Sequence, residues 1–463
     1  MKTPPWSSIF KAYDVRGTVP DQLDAEVAWA IGAGFGRFVR DREPDATRVV
    51  VGRDMRESGP ELARALTAGI ATAGLSVVDV GLCSTDLLYF ASGRLKAAGA
   101  MLTASHNPAR YNGIKLCLSG AVPIGEESGL AEIRASAEAA ISAAPADPGA
   151  GASAEVRDLL GAFAAHVHSF VDLSALAPLR VVADTANGMG GLVCPAVFAE
   201  LPFSLDVLFP ELDGSFPNHP ADPIQTENQA ALRARVLESA ADVGLAFDGD
   251  ADRVFLVDEK AQPLSGSTTT AIVAAAMLDK NPGGIVLHNC ICSHAVPEVV
   301  REHGGTPVRT RVGHSFIKAV MAETGAIFGG EHSGHYYFRE NFRADSGIIA
   351  ALVVLEVLSR AGVPLSELRR PFERYSDSGE INTEVADPRA VVARVAEAVS
   401  GWGAAVDFFD GLTAEFGDWW FNLRPSNTEP LLRLNVEAAD AASCASRVDE
   451  VLDLVRTLGE AHA

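Results

Sequence analysis

The chain has 463 residues, with 38 Lys plus Arg against 60 Asp plus Glu and a formal net charge of -22. At roughly 100–200 residues per domain, that length suggests about three or four domains. Its 48% hydrophobic and 21% charged content excludes a mostly disordered or collagen-like chain, and the acidic balance opposes non-specific nucleic-acid binding.

No apolar run reaches the ~20 residues of a membrane helix. The start, Met1 to Trp6, has no apolar core before a small-residue cleavage site, so a cytoplasmic protein is expected. The six cysteines, Cys83, Cys117, Cys194, Cys290, Cys292 and Cys444, form no C-x-x-C and read as buried free thiols. Cys290 and Cys292 would share a face if they lay on a strand.

In chain order, apolar strands are predicted at Val49–Gly52, Leu75–Val80 and Gly99–Thr103, with helical spacing between them at Pro60–Ala73. The Ala-, Gly-, Ser- and Pro-rich stretch Ala135–Ser153 reads as a helix end and a linker. A second block has strands at Leu179–Asp184, Phe203–Phe209 and Val243–Phe247. A third has Gly284–His288, Thr306–Val312 and Ala326–Gly329, with helices at Ala295–His303 and Phe316–Glu323. This alternation predicts three similar α/β domains with mixed, mostly parallel sheets. From about Pro371 the pattern changes. Strands at Glu380–Val385, Ala405–Phe409, Trp419–Leu423 and Leu431–Val436, with helices at Arg389–Val399 and Ala445–Leu458, suggest a smaller α+β domain. The expected divisions are 1–154, 155–258, 259–370 and 371–463.

Each third strand runs into a polar loop, and open α/β sheets bind ligands at the carboxyl ends of their strands. Asp248, Asp250 and Asp252 alternate after Val243–Phe247 and can converge on a hard divalent cation. A helix-loop-helix calcium site fits poorly: Arg253 stands where a Gly is needed, although Glu259 is at the twelfth position. A solvated acidic turn is the plainer alternative. Ser105, in Thr103-Ala104-Ser105-His106-Asn107-Pro108, lacks a G-x-S-x-G context, but a Ser in a tight turn can carry a phosphoryl group or merely cap. Arg424, Ser426, Asn427 and Thr428 offer donors for a phosphate monoester and are also ordinary turn residues. Glu331 and Ser333 alternate, as does His335, and would face neighbouring sugar hydroxyls from an extended backbone. No P-loop is present, so an enzyme-bound residue is a better phosphoryl donor than ATP.

Taken together, these four loops resemble the signature loops of the α-D-phosphohexomutases. Further matches are Phe10–Gly17, Gly52-Arg53-Asp54, Tyr111–Lys115, Phe216–His219 and Gly313-His314-Ser315. The resemblance spans essentially the whole chain and is closest to the bacterial phosphomannomutase/phosphoglucomutase branch. It implies four domains around one cleft and reversible exchange of hexose 6-phosphate and hexose 1-phosphate through a 1,6-bisphosphate, which also primes the enzyme. It implies that Ser105 is the phosphoserine and that Mg²⁺ is held by Asp248, Asp250, Asp252 and a phosphoserine oxygen. Glu331 and Ser333 would bind sugar hydroxyls. Arg424, Ser426, Asn427 and Thr428 would bind the non-reacting phosphate. Lys115, Arg16 and Arg253 would lie near the transferred group, and Tyr13 and His314 would line the cleft. Lys115 is the expected acid/base, with His335 as fallback. His332 stands where phosphoglucosamine mutases tend to have Gln, which weakens that alternative. A metal-dependent sugar-phosphate phosphatase is the other. The partners expected are small hexose phosphates, with no nucleic acid and no membrane.

Overall fold

A computed structural model describes residues 5–425 and 431–460. Three successive sheets share one plan. In the first, the parallel strands Arg48–Arg53, Ser76–Leu82 and Ala98–Leu102 are joined by Tyr111–Leu118, antiparallel to Ala98–Leu102. In the second, Arg180–Asp184, Ser204–Leu208 and Val243–Phe247 are parallel and Val254–Asp258 returns antiparallel to the last. The third repeats this with Ile285–Asn289, Thr306–Thr310, Phe328–Gly330 and the antiparallel Tyr336–Phe338. Each time the first strand sits between the second and third, and the fourth covers the third.

The antiparallel fourth strands were not among the sequence-predicted elements. Their consequence is direct: the loops bearing Ser105, Asp248–Asp252 and Glu331–His335 each link a buried parallel strand to its antiparallel neighbour. Both ends of each loop are therefore fixed in one ladder. The C-terminal sheet, order Ser376–Glu384, Leu431–Ala438, Trp419–Pro425, Leu412–Glu415, Ala405–Asp407, is wholly antiparallel. Residues 426–430 join two of its paired strands, so Ser426, Asn427 and Thr428 lie outside the described residues.

Two boundaries differ from expectation. Ala154–Val156 pairs in parallel with Ser76–Leu82, so the first unit runs past residue 154. The third-sheet strand ends at Asn289, which leaves Cys290 and Cys292 in the turn beyond it; all six cysteines are buried and free.

One apolar core runs from the first unit through the second to the third, including Leu88, Phe163, Phe247, Phe328 and Leu352. At its centre lies Gly347–Ala361, whose Leu, Ile and Val residues are buried on nearly every side. That burial accounts for its all-round hydrophobicity, and no single helix among the described residues is long and apolar enough to cross a membrane. The C-terminal unit has a separate core around Val395, Phe421, Leu434 and Val451.

His288, buried on Ile285–Asn289, illustrates the cost of protonating this interior. Burial lowers its pKa from 6.5 to about 4. Below 6.5 the unfolded chain takes up a proton there that the folded chain refuses, so stability falls as the pH drops towards 4. The loss at about pH 5 is about 2 kcal/mol. The thermal midpoint should therefore fall less between about pH 7 and about pH 5 in His288→Asn than in the parent. Equal falls would show that His288 does not contribute.

Candidate active site

Ser105 follows the strand Ala98–Leu102 and has φ of 49°, in the left-handed region. Its backbone N–H donates to Thr103 Oγ1 at 2.8 Å. Its hydroxyl, nearly buried, donates to Asp248 Oδ2 at 2.7 Å, across 143 residues of sequence. The seryl loop and the acidic loop thus meet face to face. Gly249 makes the approach possible: a Cβ there would stand 2.5 Å from the Ser105 carbonyl oxygen.

Asp248, Asp250 and Asp252 are all buried. Isolated buried carboxylates are costly, so each needs a cation or donor. Lys115, on the antiparallel strand Tyr111–Leu118, places Nζ 2.8 Å from Asp250 Oδ2 and 2.7 Å from Asp252 Oδ2. Arg253 donates through Nε to Asp248 Oδ2 at 2.9 Å. Thr85 Oγ1 donates to Asp250 Oδ2 at 2.6 Å, from the N-terminus of helix Thr85–Leu95. Burial drives the Asp248 carboxyl well above the usual range although Arg253 opposes it. Burial acts the same way on Asp250, but Lys115 and Thr85 outweigh it and hold that carboxyl well below the usual range. Burial disfavours the Lys115 ammonium, yet Asp250 and Asp252 raise its pKa well above the ordinary lysine value.

The trio suits a metal ion on this structure's own terms. One ligand oxygen from each carboxylate lies within 4.8 Å of the others. Asp250 Oδ1 and Asp252 Oδ1 are buried and have no hydrogen-bond partner among the described residues. An all-oxygen set of three carboxylates favours a hard cation. The calcium-loop alternative fails, because Glu259 is engaged with Ser366 instead.

Around this pair, Arg253 Nη2 reaches His106 Nδ1 at 2.6 Å and Ser105 Oγ at 3.4 Å. Burial and then the Arg253 and Arg16 charges push the His106 pKa well below its usual value. Arg16 is tied to Asp14 and Asn107. The cleft here has a volume of 560 Å³ and is lined by Ser105, Arg16, Lys115, Arg253, His314 and His335, with Tyr13 at its side. It adjoins a 420 Å³ pocket lined by Tyr13, Arg311, Arg389, Arg424 and Arg433. Tyr13 and Arg433 border both, so the cleft at Ser105 and the pocket at Arg424 adjoin. Burial, then Glu331 and Asp410, push the Tyr13 phenol up to about 12.

The loop 331–335 is a turn rather than extended backbone. The Glu331 N–H donates to His335 O at 3.0 Å, and Gly334, with φ of 84°, closes it. Strand alternation therefore does not group Glu331 and Ser333. Glu331 is buried and accepts from Tyr337 Oη at 2.7 Å, the Gly313 N–H at 2.9 Å and Asn289 Nδ2 at 3.2 Å. Ser333 Oγ lies 3.1 Å from His335 Nδ1. His335 Nε2 is 3.8 Å from Asp252 Oδ1, which brings this turn to the acidic loop. His332 bonds Ser267 Oγ at 3.0 Å and borders another groove, so its identity does not report a contact in the cleft. Arg424 is paired with Glu380 at 2.7 Å.

Sequence reasoning missed Thr85, Arg311, Arg389 and Arg433. Thr85 carries no motif and meets Asp250 only through the fold. The three arginines are isolated in sequence, and the fold gathers them at one end of the cleft from the helix Pro388–Gly401, the strand Leu431–Ala438 and the turn after Thr306–Thr310.

Four family profiles match in chain order, for phosphoglucomutase/phosphomannomutase. They are α/β/α domain I at residues 7–143, domain II at 161–262, domain III at 265–375 and the C-terminal domain at 380–454. The chain is 43% identical over 450 residues to the "Phosphohexose mutases" of Xanthomonas campestris pv. campestris, covering 96% of this chain and 99% of that one. It is 39% identical over 456 residues to the phosphomannomutase of Salmonella montevideo, covering 97% and 99%. A crystal structure of a phosphoglucomutase/phosphomannomutase family protein from Burkholderia thailandensis superposes with a TM-score of 0.87 at 34% identity, covering 98% of each chain. With four domains matched in order and relatives aligned end to end, the chain belongs to the phosphoglucomutase/phosphomannomutase family of phosphohexomutases.

Proposed function

We propose that the protein interconverts hexose 6-phosphates and hexose 1-phosphates, with mannose phosphates as the first substrates and glucose phosphates as the second. The observation that carries this reading is the 2.7 Å contact of Ser105 Oγ with Asp248 inside a cleft that leads to a cluster of arginines. A phosphoryl donor and a separate anion-binding end are what a substrate with one reacting and one resting phosphate requires. Relatives at 36–43% identity that carry the names phosphohexose mutase and phosphomannomutase support the same substrate class.

In this mechanism Ser105 starts phosphorylated. The bond from phosphorus to Ser105 Oγ breaks as a bond to the C1 hydroxyl oxygen of a hexose 6-phosphate forms. The resulting 1,6-bisphosphate turns over in the cleft and returns its C6 phosphoryl group to Ser105, releasing hexose 1-phosphate. A dephosphorylated chain is primed by the same bisphosphate. Asp248, Asp250 and Asp252 would hold Mg²⁺, which supplies charge neutralisation for the phosphoryl oxygens. Arg253 and Arg16 stabilise charge on the equatorial oxygens. Arg424 with Ser426, Asn427 and Thr428 binds the resting phosphate, helped by Arg433. Tyr13, His314, Glu331 and Ser333 shape the sugar site between them.

The charges around Ser105 support one route for the protons. Lys115 is held as an ammonium by Asp250 and Asp252, so it begins as the acid that protonates the departing Ser105 oxygen. It serves as base when Ser105 is phosphorylated again. His335, which lines the same cleft, takes the sugar hydroxyl proton.

Incubation with glucose 1,6-bisphosphate should add one phosphate to the intact chain, on Ser105. Ser105→Ala should take up none and lose mannose 1-phosphate turnover by at least about 10³-fold. Release of free phosphate from mannose 6-phosphate without any 1-phosphate would instead identify a phosphatase. Lys115→Ala should lower kcat by about 10²-fold and alter the pH–rate profile, whereas unchanged turnover would remove Lys115 from the proton path. Gly249→Ala, which forces the acidic loop off the Ser105 carbonyl, should cost about 10²-fold in kcat with the fold intact by circular dichroism. Parent-like turnover in that variant would mean that the two loops need not abut.

A further inference from the structure

Arg56 is among the largest fully buried side chains of the protein, with 1% of its surface exposed. It lies outside the cleft, yet each of its five guanidinium N–H groups has an acceptor. Nε donates to Asp54 Oδ2 at 3.2 Å. Nη1 donates to the carbonyls of Pro108 at 3.0 Å and Tyr111 at 2.7 Å. Nη2 donates to the carbonyls of Ser105 at 2.8 Å and Asn107 at 2.7 Å. Four of the five acceptors are main-chain oxygens: three in the loop that carries the nucleophile, and that of Tyr111, where the next strand begins.

That loop needs such a brace. Ser105 has a left-handed backbone, which costs a non-glycine residue energy unless its surroundings hold it there. Buried carbonyls that face no donor are also unfavourable. Asp54, fully buried, fixes the guanidinium through its carboxylate and also accepts from the Arg56 backbone N–H at 3.0 Å. Asp54 itself is anchored to the sheet by a bond from its N–H to Leu102 O at 2.9 Å. The second unit closes over the assembly. The Phe216 ring lies 5.2 Å from the guanidinium carbon, and a Cβ on Gly214 would be 2.6 Å from Arg56 Cα. The Ser105 carbonyl is thus held by Arg56 while Gly249 of the acidic loop packs against it.

We propose that Arg56 is the positioning residue of the nucleophile: it captures three carbonyls of the seryl loop and that of Tyr111 at its end, and so sets where Ser105 Oγ stands relative to Asp248. This rests on the reading of Ser105 as the phosphoryl carrier. A planar fork with five donors can meet this set; a lysine, with three donors on one atom, cannot.

The test uses Arg56→Lys in the full chain, beside the parent. Hydrogen exchange of the amides between Ser105 and Tyr111 should quicken by at least about tenfold, with Asp248–Arg253 and Glu331–His335 little changed. Phosphate uptake on Ser105 from glucose 1,6-bisphosphate, read by intact mass, should slow by at least about tenfold. The kcat for mannose 1-phosphate should fall by about 10²-fold with KM within about twofold. Added guanidinium should restore part of the turnover of Arg56→Ala. Parent-like exchange in the seryl loop overturns the proposal, as does equal loosening of all three loops, which would mark a general structural role. If the Arg56 variants fail to fold, Phe216→Leu keeps every donor and uncovers the guanidinium. It should quicken exchange in the same loop alone, and unchanged exchange there overturns the proposal. Absence of phosphate on Ser105 in the parent would defeat the mutase reading, while the exchange measurement would still decide the role of Arg56.

Discussion

Three carboxylates buried within reach of one another are unstable unless positive charge is brought to them, and in this protein that charge arrives from two different units. Lys115 comes from the first sheet and Arg253 from the acidic loop itself. Removing water from such a group raises its energy by several kcal/mol per ion, and only close, hydrogen-bonded partners offset that. The cluster therefore does two things at once. It binds the first unit to the second, and it gathers three carboxylates in the place where a serine hydroxyl also ends. A site built only for stability would have used apolar contacts at this junction, as the neighbouring core does. Retaining the charge is intelligible when a cation and a phosphoryl group are to be received there.

The first level of this organisation was readable in the residues. Val243–Phe247 is strand as predicted to the residue, and most other parallel strands fall within a residue or two, because short apolar runs between turn residues leave little choice. The loops that follow third strands were legible as sites, since they combine carboxylates, hydroxyls and guanidinium groups in short spans. The antiparallel strand Tyr111–Leu118 was harder. It is buried on both faces, so it shows no alternation, and in the sequence it stands out only as a motif ending in Lys115. Pairings such as Thr85 with Asp250 were not legible at all. They span 165 residues and depend on how two sheets are placed. Glu331 misled in an instructive way. Its spacing from Ser333 suited a strand, but Gly334 turns the chain and Glu331 is committed to Tyr337, Asn289 and Gly313.

The repeated sheet plan explains why chemistry gathers in equivalent places. A connection between a parallel strand and its antiparallel neighbour has both ends fixed by ladder hydrogen bonds, so its backbone can adopt strained turns without unravelling the sheet. Ser105 and Ala251 both use positive φ in such loops, and Gly334 does so in the third. Sheet and loop have separate roles: the strands provide rigidity, and the loop provides composition. One plan used three times thus yields a seryl loop, an acidic trio and a glycine-closed turn bearing Glu331 and His335 without a change of architecture.

The fourth unit is joined on different terms. The first three share apolar core, whereas the last keeps its own and meets the third mainly through polar groups. Asp410 accepts from the Val312 N–H at 2.8 Å, Glu437 accepts from the His294 N–H at 3.0 Å, and Arg309 pairs with Asp407. His294 stacks on Trp420 with ring centroids 5.3 Å apart. Contacts of this kind exchange readily with water, so separating them costs far less than exposing a shared core. The unit that carries the anion-binding end is therefore the one attached by replaceable contacts, and the units that carry the nucleophile and the acidic trio are fused. Under the proposed mutase reaction, a bisphosphate that turns round between its two transfers needs that division. The reacting end has to stay fixed to fractions of an ångström, and the resting end has to let go and take hold again.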